Sequence, residues 1–447
     1  MSSPREGQRT SSGIAEKSAH LLALPELLLI ILGYFTDDAD IISLACVCRR
    51  LNDVSLSYHL DSDLEERFLI FGSCFLPYTF FRKLRLCFFK PAFSFIDCHF
   101  SDNAAEEIRE VLRYLDSIEI DPPEVSVDLS DVCPHTVKSM PPAELEAFFR
   151  DLQQLNCRDL TPFVDLQQEP EVESVPFVGF HPPPLTSLGT VTLYPQPKHL
   201  ADWLVRSINQ SSVRMMTVCD AASTLTKLTL PRLRELIFQR GRISTDDLYL
   251  FLLRHTSIKH ITIHASVELL PLTEQIHIQS LPKLSQICAP PEVLTLLSPQ
   301  LLSAVRDIRL EAYLMSMDAE QFVHNHQEAL LFVSQLPNAY SLTIWLGHLI
   351  STGTVWADFV FPDSYGLQRA EQRLVNITTL CIADLISIPA FQLAEAVARF
   401  PNVQDLHFWN EPEYSLLCAE KIMTACPSLI TISTAEKEYN RVSLSGR

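Results

Sequence analysis

The stretch DDLYLFLLRHTSIKHITI, residues 246–263, contains the pattern that decides the fold. Its first half is typical of an amphipathic helix, and its last six residues follow the frame hxxhxh, where h is an apolar residue. The apolar places of that frame are Ile258, Ile261 and Ile263. Residues 391–408, FQLAEAVARFPNVQDLHF, repeat the same order of helix, break and frame. A helix and a strand in about 25 residues make one βα unit of a solenoid.

The frame recurs at nearly constant intervals. Three copies begin 26 residues apart, at Ile377, Val403 and Leu429. Five more begin at intervals of 25, 20, 25 and 26 residues, at Leu188, Val213, Leu233, Ile258 and Leu284, and looser copies begin at Leu115 and Val305. Such units bury little alone but form a continuous core when they stack. We therefore predict an α/β fold in which residues 185–436 form an irregular βα solenoid with a parallel sheet. Chance alternation in an ordinary α/β domain is the alternative.

The repeating frame resembles that of leucine-rich repeats, and this resemblance implies a solenoid of the same general kind. The chain differs from the family by lacking the Asn or Cys three residues past the last apolar place. Leu385 holds that place after one copy, and Asn410 comes one position early after another. We therefore expect the repeats to be irregular.

A second informative stretch lies near the N-terminus, where residues 24–51 read LPELLLIILGYFTDDADIISLACVCRRL. Its apolar residues recur at steps of three and four in two successive segments, which predicts two short helices. Asp40 is a suitable N-cap for the second of them. Two helices this short cannot bury both faces alone. The hairpin therefore needs a third helix or a partner.

This stretch resembles the F-box in its Leu-Pro pair, its Glu-Leu-Leu run, its Ile-Leu pair and its Val-Cys-Arg segment. One residue is missing between Leu-Pro and Glu, and Leu51 stands where the family has Trp. The resemblance implies a substrate receptor of an SCF-type ubiquitin ligase, which binds a Skp-family adaptor and through it a cullin. The resemblance also implies which residues bind the adaptor: Leu24, Pro25, Leu28, Ile31, Leu32, Leu44, Val47, Cys48 and Leu51. An ordinary apolar hairpin on a scaffold that joins no ligase is the alternative.

Composition narrows the classes of partner. The net charge of −19 argues against a nucleic-acid backbone or an anionic membrane as the main partner. The twelve cysteines are scattered through apolar runs, as is typical of reduced thiols in an intracellular protein. Residues 1–20 are polar and show no secretory signal, so we expect a cytoplasmic or nuclear protein.

The same features predict the order of domains. We expect a disordered tail over residues 1–19, the F-box-like helical unit over 20–60, and connecting helices with the first repeat-like elements over 61–120. An acidic, Pro-rich insertion, or a loosely packed early repeat, follows over 121–184, since residues 121–175 hold twelve acidic and three basic side chains. The solenoid then occupies 185–436, and a C-terminal tail occupies 437–447.

No enzyme signature is present: the chain contains no GxSxG, Walker, GxGxxG or HExxH motif. His255, His260 and His264 flank one frame, and we interpret them as surface polar residues rather than metal ligands. We therefore expect no metal, no cofactor and no covalent chemistry. An enzyme whose site is assembled from distant loops is a weaker alternative.

The frame also predicts a binding surface. Its apolar places face the core, so the places between them face the other side of the sheet. That side is the concave surface of a curved solenoid, which such proteins use for binding. A plain solvated sheet face would show the same alternation. Mixed polarity favours a folded protein or a peptide as the partner. The predicted substrate-binding residues are Arg234, Glu235, Lys259, His260, Thr262, Gln404, Asp405 and His407.

Overall fold

A computed structural model of the chain describes residues 30–34, 38–47, 51–52, 54–55, 85, 95–118, 123–133, 136–137, 140–163, 181–196, 198–270, 281–311, 319–345, 374–383, 393–394, 397–409, 416–434 and 437–441. The chain divides into two compact units, unit 1 (Met1–Ser187) and unit 2 (Leu188–Arg447). The described part contains no helix that is long and apolar enough to cross a membrane.

Unit 1 alternates strands and helices. Its elements are α1 (Asp38–Ala45), β1 (Phe95–His99), α2 (Ala104–Leu115), β2 (Glu124–Asp128), α3 (Pro142–Gln154) and β3 (Asp159–Thr161). Strand β2 pairs in parallel with β1 on one side and with β3 on the other. Helices α2 and α3 pack against each other, and Ile108, Tyr114, Phe148 and Phe149 form much of the core.

Within the acidic stretch 121–184 the structure places β2, α3 and β3, which continue the alternation of strands and helices. Pro142 lies in the first turn of α3, where its missing N–H has no helical partner to lose. Phe148 and Phe149 are buried with their rings in edge contact at a centroid distance of 5.2 Å. The frame copy predicted at Leu115 is wrong, since Leu115 ends α2 and the strand begins only at Glu124.

Unit 2 contains eleven parallel strands among the residues that the structure describes, with helices between many of them. Its elements are β4 (Thr190–Leu193), α4 (Lys198–Gln210), β5 (Met215–Cys219), a 3-10 helix (Ala222–Lys227), β6 (Glu235–Ser244), α5 (Thr245–Arg254), β7 (His260–Ile263), β8 (Val267–Leu270), β9 (Gln286–Ala289), α6 (Pro291–Leu296), β10 (Asp307–Glu311), α7 (Ala319–Ser334), β11 (Ser341–Trp345), β12 (Thr379–Ala383), β13 (Asp405–Trp409), α8 (Leu416–Ala425), β14 (Thr431–Ser433) and the antiparallel β15 (Glu438–Asn440).

The strands of unit 2 confirm the predicted parallel βα array. From β4 to β14 each strand pairs in parallel with the next one along the chain, except β8, which pairs with the second half of β6. Apolar places of the frame are buried in every copy of unit 2, as with Leu236 and Phe238 in β6. One copy escaped sequence analysis: Ala339, Leu342 and Ile344 occupy the frame around β11 and are buried. The small Ala339 side chain conceals this copy in the sequence.

The turn before each strand is held by the backbone of the preceding repeat. The Arg234 carbonyl accepts hydrogen bonds from the N–H groups of Lys259 at 2.7 Å and His260 at 3.0 Å. The Gln404 carbonyl does the same for Ile430 at 2.7 Å and Thr431 at 3.0 Å. This pattern recurs from β5 to β14, so each strand start is placed by the repeat before it.

Asparagine side chains reinforce these turns in the later repeats. The Asn338 amide donates to the Ser303 carbonyl at 2.7 Å, and the Asn402 amide donates to the Val375 carbonyl at 2.7 Å. Asn376 makes the equivalent bond to the Leu336 carbonyl at 3.4 Å. The asparagines thus precede the strands here.

A bend in β6 divides the strand between two partners. Residues Glu235–Phe238 pair with β7, whereas Gly241–Ser244 pair with β8. Gly241 has a backbone φ of 106°, a value that favours glycine, and a Cβ there would lie 2.8 Å from the Asp220 Cα. The bend therefore depends on the absence of a side chain.

Residues 437–441, which begin the tail predicted over 437–447, pack on the final strands that the structure describes. Strand β15 pairs antiparallel with β14. The Arg441 guanidinium donates to the carbonyls of Met423 at 2.6 Å, Cys426 at 2.7 Å and Leu429 at 2.7 Å. Two of these carbonyls follow the end of α8, where a cation also suits the helix dipole. The Arg441 side chain therefore closes the last repeat.

His255 is a core residue, which corrects its interpretation as a surface group. Its side chain is 2% exposed, so its ring has no access to a metal in solvent. The ring Nε2 accepts a hydrogen bond from the Leu230 N–H at 2.9 Å, and Nδ1 lies 2.7 Å from the Phe251 carbonyl. One ring nitrogen accepts and the other donates, which requires the neutral ring. Burial accordingly lowers the pKa of His255 below its usual value.

We predict that His255→Ala destabilises the protein by about 2–4 kcal/mol, because it removes a buried acceptor from the Leu230 N–H and leaves a cavity. Urea unfolding at neutral pH measures the effect. His260→Ala, at a half-buried position on the sheet, is the control and should change the free energy of unfolding by less than about 1 kcal/mol. Equal effects of the two changes would contradict a core role for His255.

Candidate functional site

Strand register arranges the outward side chains of unit 2 in two rows. The first outer row consists of Met215, Glu235, His260, Gln286, Asp307, Ser341, Thr379, Asp405 and Thr431. The second outer row consists of Thr217, Ile237, Thr262, Cys288, Arg309, Thr343, Cys381, His407 and Ser433. Both rows face the outer side of the sheet, because successive side chains alternate between the two faces and the rows are two residues apart on each strand.

The predicted substrate-binding residues fall into two separate groups on this face. Glu235 pairs with His260 in the first row, and Thr262 lies in the second row beside them. Asp405 and His407 lie on β13, five strand spacings from β7, which corresponds to about 24 Å. Arg234, Lys259 and Gln404 are exposed but precede the strands, so they lie at the sheet's turn edge rather than in either row.

The residues that connect the two groups were not predicted from the sequence. These lie on β9 to β12 and include Gln286, Cys288, Asp307, Arg309, Glu311, Ser341 and Thr343. Copies of the frame at Leu284 and Val305 predicted β9 and β10, so the outward residues of these two strands could also have been predicted. The copy at Ala339 was not recognised, so the outward residues of β11 could not.

The centre of the outer face carries a three-residue polar cluster across β7, β9 and β10. The Glu311 carboxylate accepts a hydrogen bond from the Cys288 thiol at 2.9 Å, and its other oxygen lies 3.4 Å from the His264 Nδ1. The hydrogen bond with Glu311 raises the pKa of His264, and the same bond lowers the pKa of Glu311. The pair therefore favours the charged forms of both groups and connects two strands that are not neighbours.

Other outward side chains are bonded to the adjacent strand. Ser341 donates to Asp307 at 3.0 Å, and Asp307 also lies 3.4 Å from the Arg309 Nε. Thr431 donates to Asp405, and His407 is hydrogen-bonded to Ser433. These bonds fix the polar groups before any partner arrives. The face thus presents a preorganised set of donors and acceptors.

The thiols on this face are in the wrong state for nucleophilic chemistry. Burial raises the pKa of Cys381 to about 11, and burial together with Glu311 raises the pKa of Cys288 further. A nucleophilic cysteine needs the opposite shift, because the thiolate is the reactive form. Within the described part of the chain, no group of His, Cys, Asp and Glu side chains could hold a metal ion. The face is suited to recognition through hydrogen bonds and charge.

The N-terminal hairpin residues fall into buried and exposed sets. Leu32 and Leu51 are buried and therefore pack within the chain, while Leu44 is half-buried. Ile31 and Val47 are 44% and 69% exposed, so they are accessible to an adaptor. Helix α1 begins at Asp38, two residues before the predicted N-cap. Four predicted adaptor-binding residues lie outside the described part of the chain: Leu24, Pro25, Leu28 and Cys48.

Two exposed apolar side chains of this stretch were not among the predicted adaptor-binding residues. Ile30 and Tyr34 are 59% and 82% exposed. Both are apolar residues within the quoted motif, but helical spacing alone does not separate the outer face of a short helix from its packed face. Ile30, Ile31, Tyr34 and Val47 are thus four exposed large apolar side chains within this short stretch.

We predict that Glu311→Gln lowers the free energy of unfolding by an amount that depends on pH. The pKa of His264 is raised in the folded protein, so its contribution to the free energy of unfolding is complete below its unfolded-state pKa of about 6.5. That contribution is lost as the pH rises through the folded-state pKa. The pKa of Glu311 is lowered in the folded protein, so its contribution to the free energy of unfolding is complete above its unfolded-state pKa of about 4.5. That contribution is lost as the pH falls through the folded-state pKa. The pair is partly exposed, so the loss should be about 0.5 kcal/mol near pH 5.5 and smaller near pH 8.5.

Urea unfolding of both proteins at the two pH values measures this difference. Glu268→Gln is the matched control, because it removes a carboxylate that is paired with Arg242 at 2.6 Å. Arginine keeps its proton at both pH values, so the cost of the control change should not depend on pH in this range. A Glu311→Gln cost that is constant from pH 5.5 to pH 8.5 would show that His264 does not titrate against Glu311.

Comparison with known proteins gives a loose structural likeness. No protein-family model matches the chain, and no curated protein is significantly similar to it. Solved structures that resemble it include the complex of Rad7 and Elc1 from yeast, with 12% identity, a TM-score of 0.38 and coverage of 97% of this chain and 96% of that chain. The complex of TLR13 with ssRNA13 matches with 14% identity and a TM-score of 0.30, over 72% of this chain and 47% of that one. Both superpositions are too loose to support a conclusion about function. The fold assignment as a mainly parallel α/β array therefore rests on the strand pairing.

Proposed function

We propose that the chain is a non-catalytic substrate receptor of an SCF-type ubiquitin ligase. Residues 20–60 would bind a Skp-family adaptor and through it a cullin, and unit 2 would hold a protein substrate. The observation that carries the proposal is the exposure of Ile30, Ile31, Tyr34 and Val47 within a stretch that resembles the F-box.

Exposed apolar side chains are ordinary when they are scattered, but a cluster marks a protein contact. Here four large side chains are exposed within 18 residues, while Leu32, Ala45 and Leu51 in the same stretch are buried. One set of side chains thus supports the helices from within and the other remains available. This division is what a short helical unit needs if a partner is to cover its outer face.

Unit 2 supports the substrate-holding half of the proposal. A parallel array gives a long, continuous face on which many side chains can contact a partner at once. Its outward polar groups are already fixed by bonds such as those of Asp307 and Glu311, so a partner would meet little loss of side-chain entropy. The receptor would position a substrate and perform no covalent step itself, and it would act inside the cell.

We expect Ile31→Lys combined with Val47→Lys to abolish adaptor binding. A lysine charge placed in an apolar contact without a partner costs several kcal/mol. Pull-down of a purified Skp-family adaptor measures the effect, and circular dichroism checks that the protein remains folded. The control variant carries Leu250→Lys and Leu296→Lys, which change two exposed leucines of unit 2 in the same manner. Adaptor recovery equal to that of wild type would refute the F-box role of this stretch.

Affinity purification of the chain with and without residues 20–55 separates the receptor from a scaffold. A ligase receptor should lose the adaptor and the cullin on deletion but keep the proteins that unit 2 binds. A scaffold that joins no ligase should recover neither adaptor nor cullin in either form.

A further inference from the structure

Six basic side chains lie along one edge of unit 2, at the turns where its strands begin. We name this line the turn edge, and it comprises the residue before each strand and the turn that precedes it. Its basic part consists of Arg214, Arg232, Arg234, Lys259, Lys283 and Arg306, and all six are exposed. Residues 211–311 hold eleven Lys and Arg and nine Asp and Glu, a net of +2 in a chain of net −19.

The other five basic residues of this segment are already engaged. Arg240 pairs with Asp220 at 2.7 Å, Arg242 with Glu268 at 2.6 Å and Arg309 with Asp307 at 3.4 Å. Lys227 lies 3.9 Å from Asp202, and Arg254 donates to the Thr226 carbonyl at 2.9 Å and the Leu225 carbonyl at 3.1 Å.

The six residues of the turn edge differ from these five. None of them lies within 4.0 Å of a carboxylate among the residues that the structure describes. Arg232 donates to the Ser212 hydroxyl at 3.2 Å, which leaves its charge uncompensated.

Strand pairing places the backbones of three of these residues side by side. Arg214, Arg234 and Lys259 precede the successive neighbours β5, β6 and β7, so their backbones are spaced by about 4.8 Å per strand. Like charges on neighbouring strands add their positive potentials, and an anionic partner would compensate them.

Over β11–β14 the turn edge carries no basic side chain among the described residues, and three of its exposed side chains are apolar while Gln404 is polar. Tyr340 precedes β11 and is 47% exposed, Val375 lies in the turn before β12 and is 48% exposed, and Ile430 precedes β14 and is 46% exposed. These are three of the exposed large apolar side chains of unit 2, and all three lie on this edge. One continuous edge thus has a basic half over β5–β10 and an apolar half over β11–β14.

We propose that the turn edge is a docking site for an extended peptide segment of a partner protein, with carboxylates in one half and apolar side chains in the other. The basic half spans four strand spacings, about 19 Å, and the apolar half spans three, about 14 Å. These lengths match about six and about four extended residues. The inference rests on the proposed receptor function, because it gives the chemistry of a segment that the receptor would hold.

A nucleic acid fits the turn edge less well than such a peptide. Its backbone carries charge along its whole length, so it would continue from the basic half onto the apolar half. Stacking platforms for successive bases need several aromatic rings, whereas Tyr340 is the one aromatic residue among the three apolar side chains. The remainder of the chain is strongly acidic and would repel a long polyanion.

Fluorescence anisotropy with a labelled synthetic peptide tests the proposal on the full chain. In the probe a run of alternating Asp and Glu precedes a run of Leu and Phe. We expect Arg234→Ala, Lys259→Ala and Arg306→Ala together to raise its Kd about tenfold or more, and high salt to weaken wild-type binding. The control variant carries Lys227→Ala, Lys421→Ala and Lys437→Ala, which removes the same charge from exposed places off the edge. Its Kd should stay within about twofold of wild type.

Two further arms assign the halves of the edge. Tyr340→Ser with Ile430→Ser should weaken the full probe but not a probe in which Ser replaces Leu and Phe. A single-stranded oligonucleotide should bind less tightly than the full probe. Equal Kd values for the edge and control triple variants, or tighter binding of the oligonucleotide, would overturn the proposal.

Adaptor pull-down with the same edge variants separates this inference from the proposed function. The edge triple variant should lose the peptide and keep the adaptor. A wild-type chain that binds the peptide through the edge but no adaptor would support the docking site and reject the ligase role. A chain that binds the adaptor but shows no peptide binding that depends on the turn edge would support the ligase role and reject the docking site.

Discussion

One backbone interaction underlies the architecture of unit 2: the carbonyl before each strand accepts two N–H groups from the start of the next. The Arg234 and Gln404 carbonyls show it at 2.7 and 3.0 Å, in repeats that lie far apart along the sheet. This interaction requires no particular side chain at the accepting residue. Arg, Lys, Ser, Tyr, Thr and Gln all occupy that place, so its side chains can vary freely while the backbone stays paired.

The same constraint explains how much of the fold could be predicted from sequence. Frame places such as Leu236 and Phe238 must be apolar because they are buried behind the sheet, and that demand is visible as a period. Where a small side chain suffices, as at Ala339, the period disappears although the strand remains. The copy placed at Leu115 failed for the opposite reason, because the apolar residues at the end of a helix imitate the frame. Local periodicity does not encode which segments are neighbours in space.

The candidate site shows a similar limit. Outward positions on β6, β7 and β13 followed from alternation alone, and the structure gives them an outward orientation. Alternation did not predict how these residues are grouped in space. Glu235 lies beside His260, whereas Asp405 lies five strands away from His260. The Cys288–Glu311–His264 cluster spans residues that are far apart in sequence, so only strand register brings them together. The polarity of the turn edge escaped notice because its basic residues are spread over nearly one hundred positions of an acidic chain.

The antiparallel strand β15 has a consequence for self-association. A parallel array can in principle grow, because its last strand offers unpaired backbone groups to another chain. In unit 2 these groups on β14 are taken by β15, which runs in the opposite direction and cannot continue the repeat. Strand β15 is only three residues long and begins beside the exposed charges of Lys437 and Glu438, which makes it a poor template for a further strand. Strand β15 thus protects the edge of β14 from pairing with a second copy of the chain.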